Sequence, residues 1–287
     1  MRILEFQTMI RSEASANRAL RQRRWRSGTR CLRCDSRHLY RLAEGRYRCG
    51  RCRYTFGLRT GTWAGQVRVT ARTWLWLLKL FELELTASQA AVQTGVSYPT
   101  ALKAFTTMRR AILATELPES PFLQREVEAD ESYFGPRRPR RTCGRPSGRG
   151  TPHKVPVFGI LERHGTVRVE VVPDCSARTI RDHTLRWVKR GSLIYSDKWS
   201  AYDTLAFCGY RHLKVDHGRQ FSRGKVHING LEGFWAYAKG KLLKHHGVSP
   251  AKFPLYLYEW QFRYNHRRED LFNLLLRTTL KPVPNLL

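Results

Sequence analysis

Four cysteines in two matched pairs have the spacing most directly associated with chemistry. Cys31 and Cys34 form one Cys-X-X-Cys pair, Cys49 and Cys52 form a second, and 14 residues separate the pairs. Two such pairs can place four thiolates around one tetrahedral Zn²⁺. A module this small has little core of its own, so the metal would supply much of its folding free energy. We therefore predict a structural zinc site at these four cysteines.

Three carboxylates form the second candidate site. Only 23 of the 287 residues are acidic, so an acid inside a predicted strand needs a reason. Asp130 lies within such a strand, Asp197 directly follows another, and Glu232 lies near the start of a predicted helix. The predicted strand order makes the first and fourth strands neighbours, and a helix on the sheet can bring the third acid. Three carboxylates can hold two Mg²⁺ over a phosphate, about 4 Å apart.

Each of these acids also has a simpler interpretation. Glu131 could replace Asp130 as the functional acid, because side chains alternate along a strand and only one of the two faces the site. Asp197 could cap a turn. Glu232 could pair with Lys239, which lies two helical turns later on the same face; Lys239 could instead steady DNA beside the reacting phosphate.

The charge of the chain indicates an anionic partner. It contains 52 Lys and Arg against 23 Asp and Glu, for a net charge of +29. Nucleic acid is the leading partner, and non-specific anion binding is the alternative. The sequence has no apolar run of ~20 residues and no signal-peptide pattern, so we expect no membrane association. Seven cysteines, an odd number, fit a reducing compartment, and we expect a cytoplasmic protein.

Two further segments are candidate DNA contacts. Thr86–Phe105 fits two helices around a turn at Gly95, and in a helix-turn-helix the second helix would face a major groove. An ordinary helical hairpin is the alternative. Gly135–Lys154 is a predicted basic loop beside Asp130, and it could clamp phosphates or be solvated surface. The candidate contact residues are Tyr98, Thr100 and Lys103 in the helix, and Arg137, Arg138, Arg140 and Arg141 in the loop.

The pattern of the chain predicts three parts. Residues 1–62 form a basic arm and a zinc ribbon, and residues 63–116 form a helical, helix-turn-helix-like region. Pro118 and Pro121 indicate a linker at residues 117–121. Residues 122–287 form an α/β domain with C-terminal helices, in the order β-β-β-α-β-α-β-α. Three hairpin-linked strands followed by strand–helix alternation predict a mixed sheet covered by helices, hence an α+β or α/β fold.

Several blocks of the sequence together resemble a known family, the zinc-ribbon DDE transposases of bacterial insertion sequences, which are related to the Merlin superfamily of eukaryotic elements. The resemblance covers nearly the whole chain. The blocks that carry it are Tyr47–Thr62, Glu128–Gly135, Ser196–Tyr202, His227–Trp235 and Phe262–Arg267. The last two are the most specific.

The resemblance implies an RNase H-like catalytic domain with Asp130, Asp197 and Glu232 as its triad and two catalytic Mg²⁺. Some relatives carry Asn or His as the third group, so Asn229 competes with Glu232. It implies DNA cleavage and strand transfer on double-stranded DNA, at the element ends and the target. We expect a homodimer or larger homo-oligomer on the DNA of a bacterial nucleoid. Two other functions stay open: a catalytically inactive zinc-ribbon regulator and a structure-specific RNase H-like nuclease.

Overall fold

The computed structural model describes residues 1–119, 122–135, 154–215 and 227–284. The chain divides into two compact units, which we call the first unit (Met1–Pro118 with His266–Leu287) and the second unit (Glu119–Asn265). Within the described ranges, no helix is long and apolar enough to cross a membrane.

The described residues contain helices and short strands in both units. The helices are α1 (Ile3–Met9), α2 (Glu13–Arg24), α3 (Ala71–Glu82), α4 (Ala87–Thr94), α5 (Tyr98–Glu119), α6 (Ala177–Trp187), α7 (Asn229–Leu243), α8 (Phe253–Asn265) and α9 (Leu271–Leu280), with 3₁₀ helices at Trp63–Gln66 and Ser200–Cys208. The strands are β1 (Leu39–Arg41), β2 (Tyr47–Cys49), β3 (Thr55–Phe56), β4 (Glu126–Phe134), β5 (Val155–Glu162), β6 (Val167–Val171), β7 (Leu193–Ser196) and β8 (Arg211–Lys214).

In the first unit, α3 supplies much of the apolar core. Its buried side chains include Trp74, Leu77, Leu78 and Phe81, which recur at helical spacing. The start of α3 is held by the Glu13 carboxylate, which accepts the N–H groups of the first two helical residues at 2.6 and 3.0 Å. An acid at this position accepts hydrogen bonds from N–H groups that would otherwise be unpaired, and its negative charge interacts favourably with the helix dipole.

The C-terminal helix α9 belongs to the first unit, whereas the sequence placed it in the α/β domain. Phe272 is fully buried, and its ring lies 5.5 Å from that of Phe6. Arg23 donates to the Asn273 side chain at 3.0 Å, and the N–H of Val283 donates to the carbonyl of Gly61 at 3.0 Å. The apolar face of α9 is therefore buried against helices more than 180 residues earlier in the chain.

The predicted helix pair is present with the expected turn. Helix α4 ends at Gly95, whose φ of +69° is the left-handed conformation that favours glycine. Ser97 precedes α5 and its carbonyl accepts the N–H groups of Thr100 and Ala101. Helix α5 continues to Glu119, so residues 117–119 are helical where the sequence predicted a linker. A proline near the end of a helix removes one backbone hydrogen bond, but the helix can continue past it.

The second unit is built on a five-stranded mixed sheet in the order β6-β5-β4-β7-β8. β4, β5 and β6 pair antiparallel, while β4–β7 and β7–β8 pair parallel. The predicted order of elements and the neighbouring first and fourth strands are confirmed. One face of the sheet, the α6 face, packs on α6 and the 3₁₀ helix Ser200–Cys208. The other, the α7 face, packs on α7 and α8.

Helix α8 closes one edge of this sheet with side-chain amides. Gln261 Oε1 accepts the N–H of Val169 at 2.9 Å, and Asn265 Oδ1 accepts the N–H of Val167 at 2.8 Å. Asn265 Nδ2 also donates to the Val167 carbonyl at 3.0 Å. These contacts reproduce the hydrogen bonds of a missing neighbour strand, so the edge is not free to pair with another chain. They give a physical reason for the Phe262–Arg267 block.

We expect the substitution Asn265→Ala to expose this edge. It removes both partners of the Val167 peptide groups, and an unsatisfied buried backbone group costs about 1–3 kcal/mol. Amide hydrogen exchange should accelerate at Val167, while Val127 in the centre of the sheet should keep its protection. Unchanged exchange at Val167 would show that the amide contact does not stabilise the edge.

Candidate metal and catalytic sites

The four cysteines form a compact sulfur cluster in the first unit. Their Sγ atoms all lie within 4.8 Å of one another. The Cys31–Cys52 and Cys34–Cys49 sulfur pairs are 3.5 and 3.6 Å apart, far beyond the length of a disulfide. Zn–S bonds of about 2.3 Å in a tetrahedron give sulfur separations of about 3.8 Å. The donor set and its dimensions therefore fit one Zn²⁺.

Local structure lowers the pKa of Cys31 and Cys49, while burial and the neighbouring cysteines raise the pKa of Cys34. The N–H of Cys52 donates to Cys49 Sγ at 3.5 Å, and this hydrogen bond is the main reason that the pKa of Cys49 falls to about 6. A low pKa favours the thiolate, which is the metal-binding form. Around the sulfurs, Trp25, Tyr47 and Phe56 form a small aromatic core, with ring centroids 5.6–6.3 Å apart.

In the second unit, Asp130 and Glu131 face opposite sides of the sheet. Asp130 Oδ2 accepts the indole Nε1–H of Trp235 from α7 at 3.0 Å. Glu131 Oε2 accepts the hydroxyl of the fully buried Tyr202 on the α6 face at 2.7 Å. The alternation of side chains along β4 therefore assigns Asp130, and not Glu131, to the α7 face.

Asp197 lies at the end of β7, the parallel neighbour of the strand that carries Asp130. Glu128 of β4 is the register partner of Tyr195 of β7 in the parallel pair. Asp197 directly follows the end of β7, and its charge acts on Asp130 of β4. The Asp197 side chain also accepts the N–H of Trp199 at 2.9 Å, so the predicted capping role is present together with this effect on Asp130.

Burial and neighbouring negative charge change the acidity of Asp130. Burial raises its pKa to about 7, the charge of Glu131 adds to the rise, and the charge of Asp197 contributes as well. A bound divalent cation would reverse this effect by favouring the ionised form. Carboxylate oxygens are the protein ligands that Mg²⁺ prefers, so the residues present fit this ion.

A close approach of α7 to the sheet places Trp235 over the site. Gly159 of β5 is the register partner of Asp130. A Cβ atom at Gly159 would lie 2.7 Å from Cζ2 of Trp235, so the indole occupies the space that a larger residue would fill. Sequence reasoning missed Trp235, although a glycine inside a predicted strand is a usable signal of such close packing.

The candidates for the third ligand lie on the exposed side of α7. Glu232 is one helical turn before Trp235, and Asn229 is one turn earlier again; both are exposed. Lys239 is also exposed, and its Nζ lies 5.8 Å from the centroid of the Phe134 ring. Within the described ranges, the cysteine quartet is the one group of three or more potential ligands that is compact enough for a metal ion.

The remaining predicted DNA contacts belong to the first unit or fall outside the described ranges. In the first unit Tyr98 and Lys103 are exposed and Thr100 is half-buried, with its hydroxyl 2.9 Å from that of Ser97. The four loop arginines fall at residues outside the described ranges: Arg137, Arg138, Arg140 and Arg141.

Comparison with known proteins identifies the class of this chain. Residues 122–265, half of the chain, match the ISXO2-like transposase domain, and residues 11–55 match the transposase zinc-ribbon domain. These two matches cover the two sites described above. The chain belongs to the ISXO2-like transposase family.

Relatives with related names match over different lengths. A protein in transposable element ISH50 of Halobacterium salinarum is 31% identical over 273 residues, covering 88% of this chain and 90% of that protein. A transposase-like protein of Haemophilus influenzae is 33% identical over 96 residues, covering 33% of this chain and 78% of that protein. Among solved structures, a pre-cleavage Mos1 transpososome matches 72% of this chain and 79% of its own at 15% identity, with a TM-score of 0.29.

We expect the substitution Cys49→Ser to abolish zinc binding, because three sulfurs are a poorer donor set than four. Elemental analysis should find about one zinc per wild-type chain and close to none in the variant. Cys208→Ser, which changes a thiol of the second unit, is the matched control and should keep its metal. Wild-type protein purified without chelator and found free of zinc would contradict the assignment.

The raised pKa of Asp130 predicts a pH-dependent stability. Between about pH 4 and pH 7 the folded chain binds more protons at Asp130 than the unfolded chain. The free energy of unfolding therefore falls as pH rises through this window. The substitution Asp130→Asn should remove this loss, which is at most about 4 kcal/mol for the full shift.

The measurement is thermal unfolding without added Mg²⁺ at pH 5 and pH 8. Asp130→Asn should raise the melting temperature more at pH 8 than at pH 5. Asp182→Asn, which changes an exposed acid on α6, should follow the wild-type profile. Parallel profiles for wild type and Asp130→Asn would mean that Asp130 titrates like an ordinary acid.

Proposed function

We propose that this protein is a DNA transposase that binds the ends of an insertion sequence and catalyses metal-dependent DNA cleavage and strand transfer. The proposal is supported by the position of Asp197 directly after β7, the neighbour of the strand that carries Asp130, and by the effect of its charge on Asp130, within the segment that matches the transposase domain. Glu232 is our choice of third ligand, and Asn229 is its competitor.

The chemistry of the site follows from its charges. Asp130, Asp197 and Glu232 would hold two Mg²⁺, and when bound these ions would supply activation of the attacking water or 3′-hydroxyl and stabilisation of the leaving oxygen. Trp235 donates a hydrogen bond to Asp130 and keeps its carboxylate oriented in either protonation state. The indole also shields one side of Asp130 from solvent, which strengthens the electrostatic attraction between that carboxylate and a cation.

Binding to DNA would use the basic surfaces of the chain. The net charge of +29 favours attraction to phosphates at many positions. The exposed Tyr98 and Lys103 on α5 are our candidates for contacts in the element ends, together with the zinc ribbon. Lys239 and the loop arginines, Arg137, Arg138, Arg140 and Arg141, are our candidates for contacts with the phosphates beside the reaction site. We expect a homodimer or larger homo-oligomer on DNA.

The test of the proposed chemistry uses a linear duplex that carries one end of the insertion sequence and a supercoiled target plasmid. With Mg²⁺, the wild-type protein should cut at the end and join the freed 3′-hydroxyl to the plasmid. Asp130→Asn and Asp197→Asn should bind the end normally, and the rates of both cutting and joining should fall at least about a hundredfold. The matched control Asp182→Asn should react like wild type.

The same assay separates the two alternative functions. Cutting without joining would indicate a structure-specific nuclease. Binding of the end without any Mg²⁺-dependent cutting would indicate a regulator that has kept the fold and lost the chemistry. Either result contradicts the transposase proposal.

The third ligand is tested by two substitutions one helical turn apart. Glu232→Gln removes a negative charge from the metal site and should abolish cleavage, while Asn229→Ala should leave most of the activity. The reverse pattern, with an active Glu232→Gln and an inactive Asn229→Ala, would assign the third position to Asn229.

A further inference from the structure

The start of α7 is capped by a carboxylate from another element. Ile228 precedes the helix and offers no side-chain cap. Instead, Oε2 of Glu128 on β4 accepts the N–H of Leu231, the third residue of α7, at 2.9 Å. Unpaired N–H groups and the helix dipole both favour negative charge at this position. The Leu231 N–H also lies 3.1 Å from the Ile228 carbonyl, so Glu128 adds the charged side-chain acceptor that Ile228 does not provide.

An arginine completes the network around Glu128. The Glu128 side chain is 2% exposed, and its Oε1 lies 3.3 Å from Nε of Arg163. The same guanidinium donates to the carbonyl of His227 at 2.7 Å and to Oε2 of Glu126 at 3.0 Å. Arg163 follows β5, so this network joins β4, the end of β5 and the start of α7. Charge-assisted hydrogen bonds of this kind fix geometry more tightly than neutral ones.

A glycine permits the close approach of these elements. A Cβ atom at Gly230 would lie 2.9 Å from Oε2 of Glu128 and 2.5 Å from Cδ2 of Leu161. A side chain there would push α7 away from the sheet or displace the capping carboxylate. The glycine at the second position of the helix is therefore part of the same arrangement.

The network lies next to the candidate catalytic site. Glu128 precedes Asp130 by two residues on the α7 face of β4, and Leu231 precedes Trp235 by about one turn of α7. The same strand and helix thus meet twice, at Glu128–Leu231 and at Asp130–Trp235. We propose that Glu128 is a positioning residue: with Arg163 it fixes the start of α7, the helix that carries Trp235 and the candidates for the third ligand, relative to Asp130. The kinetic part of this inference rests on the proposed function.

The test compares two glutamates that bind the same arginine. Glu128→Gln keeps an oxygen for the Leu231 N–H and removes the charge that faces Arg163. Glu126→Gln is the matched control, because Glu126 bonds to Arg163 and the Tyr195 hydroxyl and not to α7 in the contacts described above. Glu128→Gln should bind the element end normally, cleave at least about tenfold more slowly, and need several-fold more Mg²⁺ for half-maximal rate. Glu126→Gln should stay near wild type.

A second readout is independent of catalysis. The NMR signal of the Trp235 indole Nε1–H reports the contact with Asp130 in protein without DNA or Mg²⁺. The signal is assigned by its loss in Trp235→Phe. It should shift in Glu128→Gln and stay in place in Glu126→Gln. If wild type lacks Mg²⁺-dependent cleavage, the proposed function fails, and the indole signal still decides whether Glu128 positions α7.

A glycine pair provides the second test. Gly230→Ala should reproduce both effects of Glu128→Gln, while Gly240→Ala, on the same helix with open space around its added methyl group, should show neither. The inference is overturned if Glu128→Gln leaves the Mg²⁺ requirement and the indole signal unchanged. It is also overturned if Glu128→Gln and Gly230→Ala both unfold the second unit, because Glu128 then serves folding and not positioning.

Discussion

The contact between the Asp130 carboxylate and the Trp235 indole is the interaction on which the account of the second unit depends. It places a half-buried acid in the central strand of a sheet beneath a helix, at 3.0 Å from a neutral donor. A single neutral hydrogen bond does not compensate for the removal of a carboxylate from water, and the pKa of Asp130 rises to about 7. The acid is retained at a cost in stability, which is typical of functional sites.

Several other contacts of the second unit support the same strand and helix. Gly159 leaves space for the indole opposite Asp130, and Gly230 lets the start of α7 approach β4. Glu128 caps that helix from the strand that carries Asp130. Helix α8 then covers the sheet edge with two amide side chains. The catalytic proposal therefore concerns a site whose supporting residues come from several elements of the second unit.

The zinc ribbon was predictable from the sequence because its ligands are close together along the chain. The spacing of two Cys-X-X-Cys pairs limits the sulfurs to one cluster, and the structure confirms that cluster. The order of elements in the sheet and the turn at Gly95 were also predictable, because strand and helix periods and glycine conformations are local properties. The resemblance of the sequence blocks added the family, which the domain matches confirm.

Long-range contacts were not predictable in the same way. Helix α9 is amphipathic whichever unit it joins, and its placement in the first unit depends on apolar partners such as Phe6 near the opposite end of the chain. The contact of Trp235 was not predictable, because no local pattern links this residue to an acid 105 residues earlier. Glu128 is similar: a glutamate inside a strand gives no sign of the helix terminus that it caps. The choice between Glu232 and Asn229 depends on a metal contact that spacing alone does not determine.

The central claim is that Asp130 and Asp197 form one divalent-metal site, and the most direct measurement is a carboxyl ¹³C NMR titration of Asp130 with and without Mg²⁺. The account predicts a pKa near 7 in metal-free protein. It also predicts a fall of at least about one pH unit on adding Mg²⁺, because a bound cation favours the carboxylate, and no such fall in Asp197→Asn. A metal-free pKa near 4, the ordinary value for aspartate, or a pKa that Mg²⁺ does not change, would contradict it.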